Sequence, residues 1–168
     1  MTHRLLLIRH AKSSWADPAL PDRERPLNGR GRRAAARIGD HLRAEGLVPE
    51  LILCSPAVRA RETLKRSGLD AAEVRIEPSV YEAEERDLLE LVYALGEDVP
   101  NVALIGHDPS MHELASMLAG DDEREPAERV RERFPTGAVA VFEVDTTWQE
   151  TSPDRTSLVA FIRPKMLS

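Results

Sequence analysis

Cysteine is nearly absent from this chain: Cys54 is the single one in 168 residues, which excludes an internal disulfide framework and agrees with a reducing compartment. Long apolar runs are missing too. None approaches the roughly 20 residues that span a bilayer, and Leu5 to Ile8 is too short even for the apolar region of a signal peptide. The expectation is a cytoplasmic protein without membrane contact, whose N-terminus reads as mature. Positive charge is in deficit: the formal net charge is -6 and the pI near 5.4, which argues against a nucleic-acid partner because such proteins carry a net basic stripe. There is no Gly-x4-Gly-Lys loop for nucleotide hydrolysis, and no internal repeat, low-complexity tract or linker. A length of 168 residues, with 42% hydrophobic and 31% charged, fits one domain over residues 1–168. A domain of this size buries roughly two-thirds of its unfolded surface, and a monomer is expected.

What is present centres on Leu5-Leu6-Leu7-Ile8-Arg9-His10. Four aliphatic residues that stop at an Arg-His pair read as a strand buried on both faces, whose C-terminal end delivers a cation and an imidazole into a loop. Open α/β sheets place their ligand sites there. An Arg-His pair alone merely marks where a core strand reaches solvent, but Ala11, Ser13 and Ser14 are small or hydroxylic, so N–H groups and hydroxyls could close around an anion.

Residues 15–26 hold Pro18, Pro21 and Pro26, a density that keeps a segment in a loop. Ala35, Ile38 and Leu42 then give an amphipathic helix over 28–45, ended by Gly46 and Pro49. Residues 51–54 read as a second buried strand, followed by Ser55-Pro56 as a helix start and a helix ending near Gly68, with Arg59 in its first turn. Residues 74–77 form a weak third strand, and Leu88, Leu91, Val92 and Leu95 a further helix ended by Gly96. Asn101 to His107 repeats the opening design, and Asp108-Pro109 is suited to cap and start a helix carrying Met111, Leu114, Ala115 and Leu118. Residues 138–144 and 157–162 are strand-like without an intervening helix and add a hairpin. The fold class is therefore three-layer α/β/α, with a mostly parallel central sheet and a C-terminal antiparallel addition.

Arg9-His10, Arg59 and His107 all follow predicted parallel strands directly or after one short turn, so they should meet at one sheet edge. Two arginines, two histidines and two helix N-termini suit a phosphoryl dianion. A neutral histidine nitrogen attacks phosphorus directly while arginines neutralise the equatorial oxygens.

At this point the sequence resembles the histidine phosphatase superfamily, in its short SixA-type phosphohistidine phosphatase branch. The resemblance rests on Leu7 through Trp15, on Asp22 with Arg25-Pro26-Leu27 and Arg30-Gly31, on Ser55-Pro56-Ala57-Val58-Arg59-Ala60 with Glu62-Thr63, and on Gly106-His107-Asp108-Pro109. It implies a phosphoglycerate mutase-like fold, a phosphohistidine intermediate on His10, phosphate binding by Arg9 and Arg59, and charge stabilisation by His107. Ser13 is a further candidate for phosphate binding. The implied substrate is a phosphorylated protein of the histidine phosphotransfer type or a small phosphate ester, with no cofactor and no metal. Where many relatives carry Arg-His-Gly-Glu, this chain carries Arg9-His10-Ala11-Lys12. Fewer than fifty residues separate Arg59 from His107, too few for a helical lid, so the site should be open. The usual general-acid carboxylate has no clear counterpart, and Glu82 is the nearest candidate by order in the chain.

Rivals fit less well. A cysteine phosphatase would resemble Cys-x5-Arg, whereas Cys54 and Arg59 are separated by four residues and Pro56 removes a loop N–H, so Cys54 reads as a small core residue. His107 and His112 are five residues apart and turn to different helix faces, against a metal site; His3 and His112 read as surface or boundary residues. A phosphate-recognising module without catalysis would lack a nucleophile or arginine, and none is missing, but the unassigned general acid keeps a catalytically weak binding module as an alternative. Arg23, Arg25, Arg30, Arg32, Arg33 and Arg37 form a basic stretch and residues 121–128 an acidic one; both read first as solvated faces, the basic one also as a steering rim.

Overall fold

A computed structural model describes residues 2–167. In chain order the strands are β1 (His3–Arg9), β2 (Leu51–Cys54), β3 (Glu73–Ile76), β4 (Asn101–Gly106), β5 (Val139–Val144) and β6 (Thr156–Ile162). The helices are α1 (Gly29–Ala44), α2 (Val58–Ser67), α3 (Glu85–Tyr93), α4 (Ser110–Ala119) and α5 (Glu125–Glu132). The strands form one sheet in the order β3-β2-β4-β1-β5-β6; the first four are parallel, and β5 and β6 are added antiparallel.

The aliphatic run of β1 is explained by its central place in that order. Side chains alternate across a strand, so Leu5 and Leu7 face one layer while Leu6 and Ile8 face the other. All four are essentially buried, each worth roughly 1.5–3 kcal/mol relative to exposure. The first layer holds Leu88 and Val92 of α3, Leu114 and Leu118 of α4, and Ala127 and Val130 of α5. The second holds Ile38 and Leu42 of α1 and Ala60 of α2. Two helices on one face and three on the other give the three layers expected from the sequence.

Several local expectations need correcting. The acidic stretch is not merely a solvated face: α5 forms within it, with its apolar side anchored by buried Ala127 and Val130 and Asp122 accepting from the backbone N–H of Arg124. His3 is buried rather than superficial, 2% exposed, its ring 4.5 Å from that of Trp148 and its Nδ1 2.9 Å from the Thr146 carbonyl. Ser55-Pro56 does not begin a helix: α2 starts at Val58 with Ala57 as its N-cap, which leaves the Ser55 side chain for another task. Likewise α4 begins at Ser110, and Asp108 receives the N–H of His112. The third strand is exposed along its length, as suits a sheet edge.

The two helices of the second layer pack with no spare room. A Cβ built on Gly39 of α1 would stand 1.8 Å from the carbonyl oxygen of Ser67 in α2. Backbone, not a flexible side chain, blocks it. Gly39→Ala should therefore destabilise the protein by about 1–3 kcal/mol or more through forced separation of α1 and α2. Urea unfolding reads this directly, and an unchanged midpoint would contradict it.

Candidate active site

Arg9 ends β1 in register with Gly106, the last residue of β4. His10 and His107 therefore leave neighbouring parallel strands side by side, with ring centroids 5.1 Å apart. His10 is 6% exposed, and its Nδ1 lies 2.7 Å from the Ala11 carbonyl oxygen. A carbonyl only accepts, so Nδ1 holds the proton and donates it, leaving Nε2 with a free lone pair. Burial pushes the His10 pKa down to about 3, against the Ala11 bond and with help from His107, Arg59 and Arg9. The ring is uncharged at neutral pH.

His107 is also buried, and its pKa falls to about 4, first through burial and then through Arg59. Its Nε2 lies 2.7 Å from Ser55 Oγ, while its Nδ1 is buried without a protein partner. Ser55 Oγ accepts from the Ala57 N–H at 3.1 Å. The hydroxyl proton is then free to be donated to Nε2, the arrangement that puts the His107 proton on Nδ1.

Arg59, the second residue of α2, is 6% exposed and held by Asp22: Nη1 donates to the Asp22 carbonyl at 2.7 Å and Nη2 to Oδ2 at 3.0 Å. The same carboxylate accepts from the Tyr81 hydroxyl at 2.8 Å and pairs with Arg25 at 3.2 Å. Partial burial alone would raise the Asp22 pKa, but the hydrogen bonds from Tyr81, Arg59 and Arg25 outweigh it and hold it at about 2. Arg25 in turn donates to Ser13 Oγ at 2.8 Å and lies 3.6 Å over the Trp15 ring. Arg9 donates to the Phe134 carbonyl and sits 3.4 Å from Asp108, whose carboxyl is pushed up by burial against the pull of Arg9. The Nε atoms of Arg9 and Arg59 have no partner.

Two further contacts hold the loop after β1. Thr63 Oγ1 accepts from the Ala11 N–H at 2.9 Å and donates to the Arg59 carbonyl at 2.7 Å, tying the loop to the first turn of α2. Gly31 of α1 lets the Lys12 carbonyl approach to where a Cβ would be only 2.1 Å away.

Arg9, His10, Ser13, Arg59 and His107 line one cavity of about 260 Å³, joined by Lys12, Trp15, Arg25, Asp108 and Thr136. Five of the six residues singled out from the sequence thus come together. Glu82 does not line this cavity: it is exposed on the turn after Tyr81 with φ 59°, and it makes no side-chain hydrogen bond among the described residues. Asp22, Arg25, Ser55, Thr63 and Tyr81 are the contributors whose part the sequence did not disclose. Cys54 is fully buried in the core, its thiol pushed up to about 12 by burial, so it offers no thiolate. Among the described residues no helix is long and apolar enough to cross a membrane, and no three of His, Cys, Asp and Glu gather as metal ligands.

An α/β sheet edge that presents an uncharged histidine with a free Nε2, a second histidine and two arginines defines a class of protein: a histidine-centred oxyanion site at the strand ends. The chain belongs to the histidine phosphatase superfamily, branch 1, which it matches over residues 5–134. Membership of that superfamily supports a phosphatase activity. An uncharacterized protein of Mycobacterium tuberculosis is 37% identical over 160 residues, covering 94% of this chain and all of that protein. Among solved structures, a candidate phosphohistidine phosphatase SixA from Nakamurella multipartitia superimposes with a TM-score of 0.87 at 27% identity, covering 98% of this chain and 97% of the other. Another from Agrobacterium tumefaciens gives 0.82 at 30% identity, covering 96% and 98%. The SixA-type resemblance read from the sequence is thereby borne out.

Both histidines have folded pKa values below the unfolded value of 6.5. Between those values the unfolded chain binds protons that the folded chain refuses, so their contribution to stability is complete above pH 6.5 and is lost as pH falls toward about 3 for His10 and about 4 for His107. Going from pH 7 to pH 5 should cost about 2 kcal/mol per ring. Nitrogen NMR of the His10 ring should show the Nδ1–H tautomer unchanged from pH 8 to pH 5, and a midpoint near 6.5 would overturn the assignment.

Proposed function

We propose that this protein removes phosphate from phosphohistidine in a protein partner, with His10 as the covalent nucleophile. The observation that carries the reading is the His10 ring itself, whose Nδ1 is engaged by the Ala11 carbonyl and whose burial keeps Nε2 unprotonated. In the proposed reaction Nε2 attacks phosphorus in line, and the bond from phosphorus to the substrate imidazole breaks. Water then attacks the phosphoryl group on His10, releasing inorganic phosphate and restoring the neutral ring. Arg9 and Arg59 oppose the charge on the equatorial oxygens, and His107 Nδ1 donates to one of them. Ser13, bridged to Arg25, is placed to shape the mouth of the phosphate site. Arginines and histidine thus supply the electrostatic work, and the reaction as proposed has no metal-dependent step.

Phosphohistidine is favoured over alkyl esters by leaving-group chemistry. An alkoxide needs a proton donor, an effect worth roughly 10²–10⁴-fold, whereas imidazole departs far more readily. Among the described residues the one carboxyl lining the cavity, Asp108, is paired with Arg9, and Asp22 is committed to Arg59, Arg25 and Tyr81. Glu82 would have to swing inward to act as an acid. The cavity also opens past Trp15, which is 71% exposed, so a side chain displayed on a protein surface has access. The SixA-described neighbours support the same substrate. A small-molecule phosphomonoesterase is the second reading, resting on the same cavity.

His10→Ala should lower turnover by roughly 10³-fold or more with the fold intact, and a brief, quenched reaction should leave an acid-labile, alkali-stable phosphoryl group on His10. Mapping of that group to another residue would end the proposal. Wild-type enzyme should turn over phosphohistidine protein, then aryl phosphate, then alkyl phosphate in falling order. Glu82→Gln should slow alkyl phosphate far more than phosphohistidine if Glu82 is the acid; equal effects remove it from the mechanism. Efficient hydrolysis of a sugar phosphate with none of phosphohistidine would establish the second reading instead.

A further inference from the structure

Beside the catalytic cavity lies a second one of about 290 Å³, reached past Lys12 and Thr136, which line both. Six of the chain's 23 lysines and arginines face it: Lys12, Arg30, Arg37, Arg133, Arg163 and Lys165. Among the described residues no carboxylate lines it, and none forms an ion pair with any of the six. The Nε atoms of Arg37 and Arg163 are buried without a protein hydrogen-bond partner among the described residues. In a chain of net charge -6 this concentration is not a consequence of composition. Four separate segments supply it: the loop after β1, the outer face of α1, the residue following α5, and the turn after β6.

We infer that this groove docks an acidic segment of the phosphorylated protein substrate, next to the residue being dephosphorylated; the inference rests on the reading that the substrate is a protein. Three observations select a polypeptide over a compact polyphosphate. Arg30 and Arg37 are seven residues apart on α1, about 10 Å along its axis, so the charges are spread over more than one phosphate's width. Ala34, Pro135 and Pro164 contribute apolar floor among the cations, which matches the stems of acidic side chains. The shared wall of Lys12 and Thr136 places the groove directly beside the catalytic cavity. Elsewhere the acidic surface repels such a segment, so the groove focuses it toward His10.

The test uses two chemically phosphorylated histidine peptides of equal length, one with aspartate and glutamate flanking the phosphohistidine and one with asparagine and glutamine. The double variant Arg30→Glu with Lys165→Glu changes two exposed groove residues outside the catalytic cavity. Wild-type enzyme should show a KM about tenfold lower for the acidic peptide, with kcat within about twofold. The double variant should lose that difference while keeping wild-type kcat/KM on an aryl phosphate. Raising the salt should narrow the wild-type difference, since roughly 8 Å of screening length at physiological ionic strength shrinks further. Equal KM values in the wild type, or a preference that survives in the variant, would overturn the docking role. Binding of a fluorescent, unphosphorylated acidic peptide reads the groove independently. If neither phosphopeptide is hydrolysed although aryl phosphate is, the substrate reading fails, and salt-sensitive peptide binding lost in the variant still upholds the groove as an acidic-segment site. No peptide binding, or tighter binding of tripolyphosphate than of the peptide at the same ionic strength, would assign the groove elsewhere.

Discussion

Everything at the site depends on the parallel pairing of β1 with β4. The register Arg9 to Gly106 leaves no freedom: a slip of one residue would turn Leu5, Leu6, Leu7 and Ile8 to the wrong layers and separate the two histidines. The core layers and the site are therefore fixed by one ladder. Burial of four aliphatic side chains supplies the energy that holds a polar, strained-for-charge sheet edge in place. The antiparallel addition of β5 on the other side of β1 completes the enclosure and brings the Phe134 carbonyl to Arg9.

A second constraint acts through Asp22. Its carboxylate joins Arg59, Arg25 and Tyr81, so a proline-rich loop, a helix start and the turn before α3 are held by one anion. Arg59 is oriented by two bonds of a fork rather than by a flexible contact, which a lysine could not reproduce. Arg25 passes the order on to Ser13 and Trp15 at the mouth.

The sequence made the strands of the site legible because their signal is local: an aliphatic run ending at Arg9-His10, and another ending at Gly106-His107. Arg59 was legible from its place at a helix start. Asp22, Ser55 and Tyr81 were not, because each acts through a contact across at least 37 residues and carries no periodicity of its own. The eight residues of α5 escaped for a related reason. Their charge density hides the two apolar positions, Ala127 and Val130, and tertiary burial decides the helix. The basic stretch read as one face is in fact divided: Arg25 is buried in the site, Arg23 lies over Tyr81, and Arg30 and Arg37 face the neighbouring groove.

The site concentrates groups of like charge. Two arginines and two imidazoles are packed together, and the folded protein answers by keeping both rings neutral and by pairing Arg59 with Asp22 and Arg9 with Asp108. Those pairings leave Arg9 Nε, Arg59 Nε and His107 Nδ1 without a protein partner among the described residues. In the proposed reaction a dianionic phosphoryl group supplies the charge and acceptor oxygens that these groups face. In the proposed reaction the complementarity is greatest when negative charge is spread over the equatorial oxygens, which is the transition state rather than the bound phosphohistidine. Depressed imidazole pKa values and donors without protein partners both suit an anion, and the core beneath β1 provides the stability that the arrangement consumes.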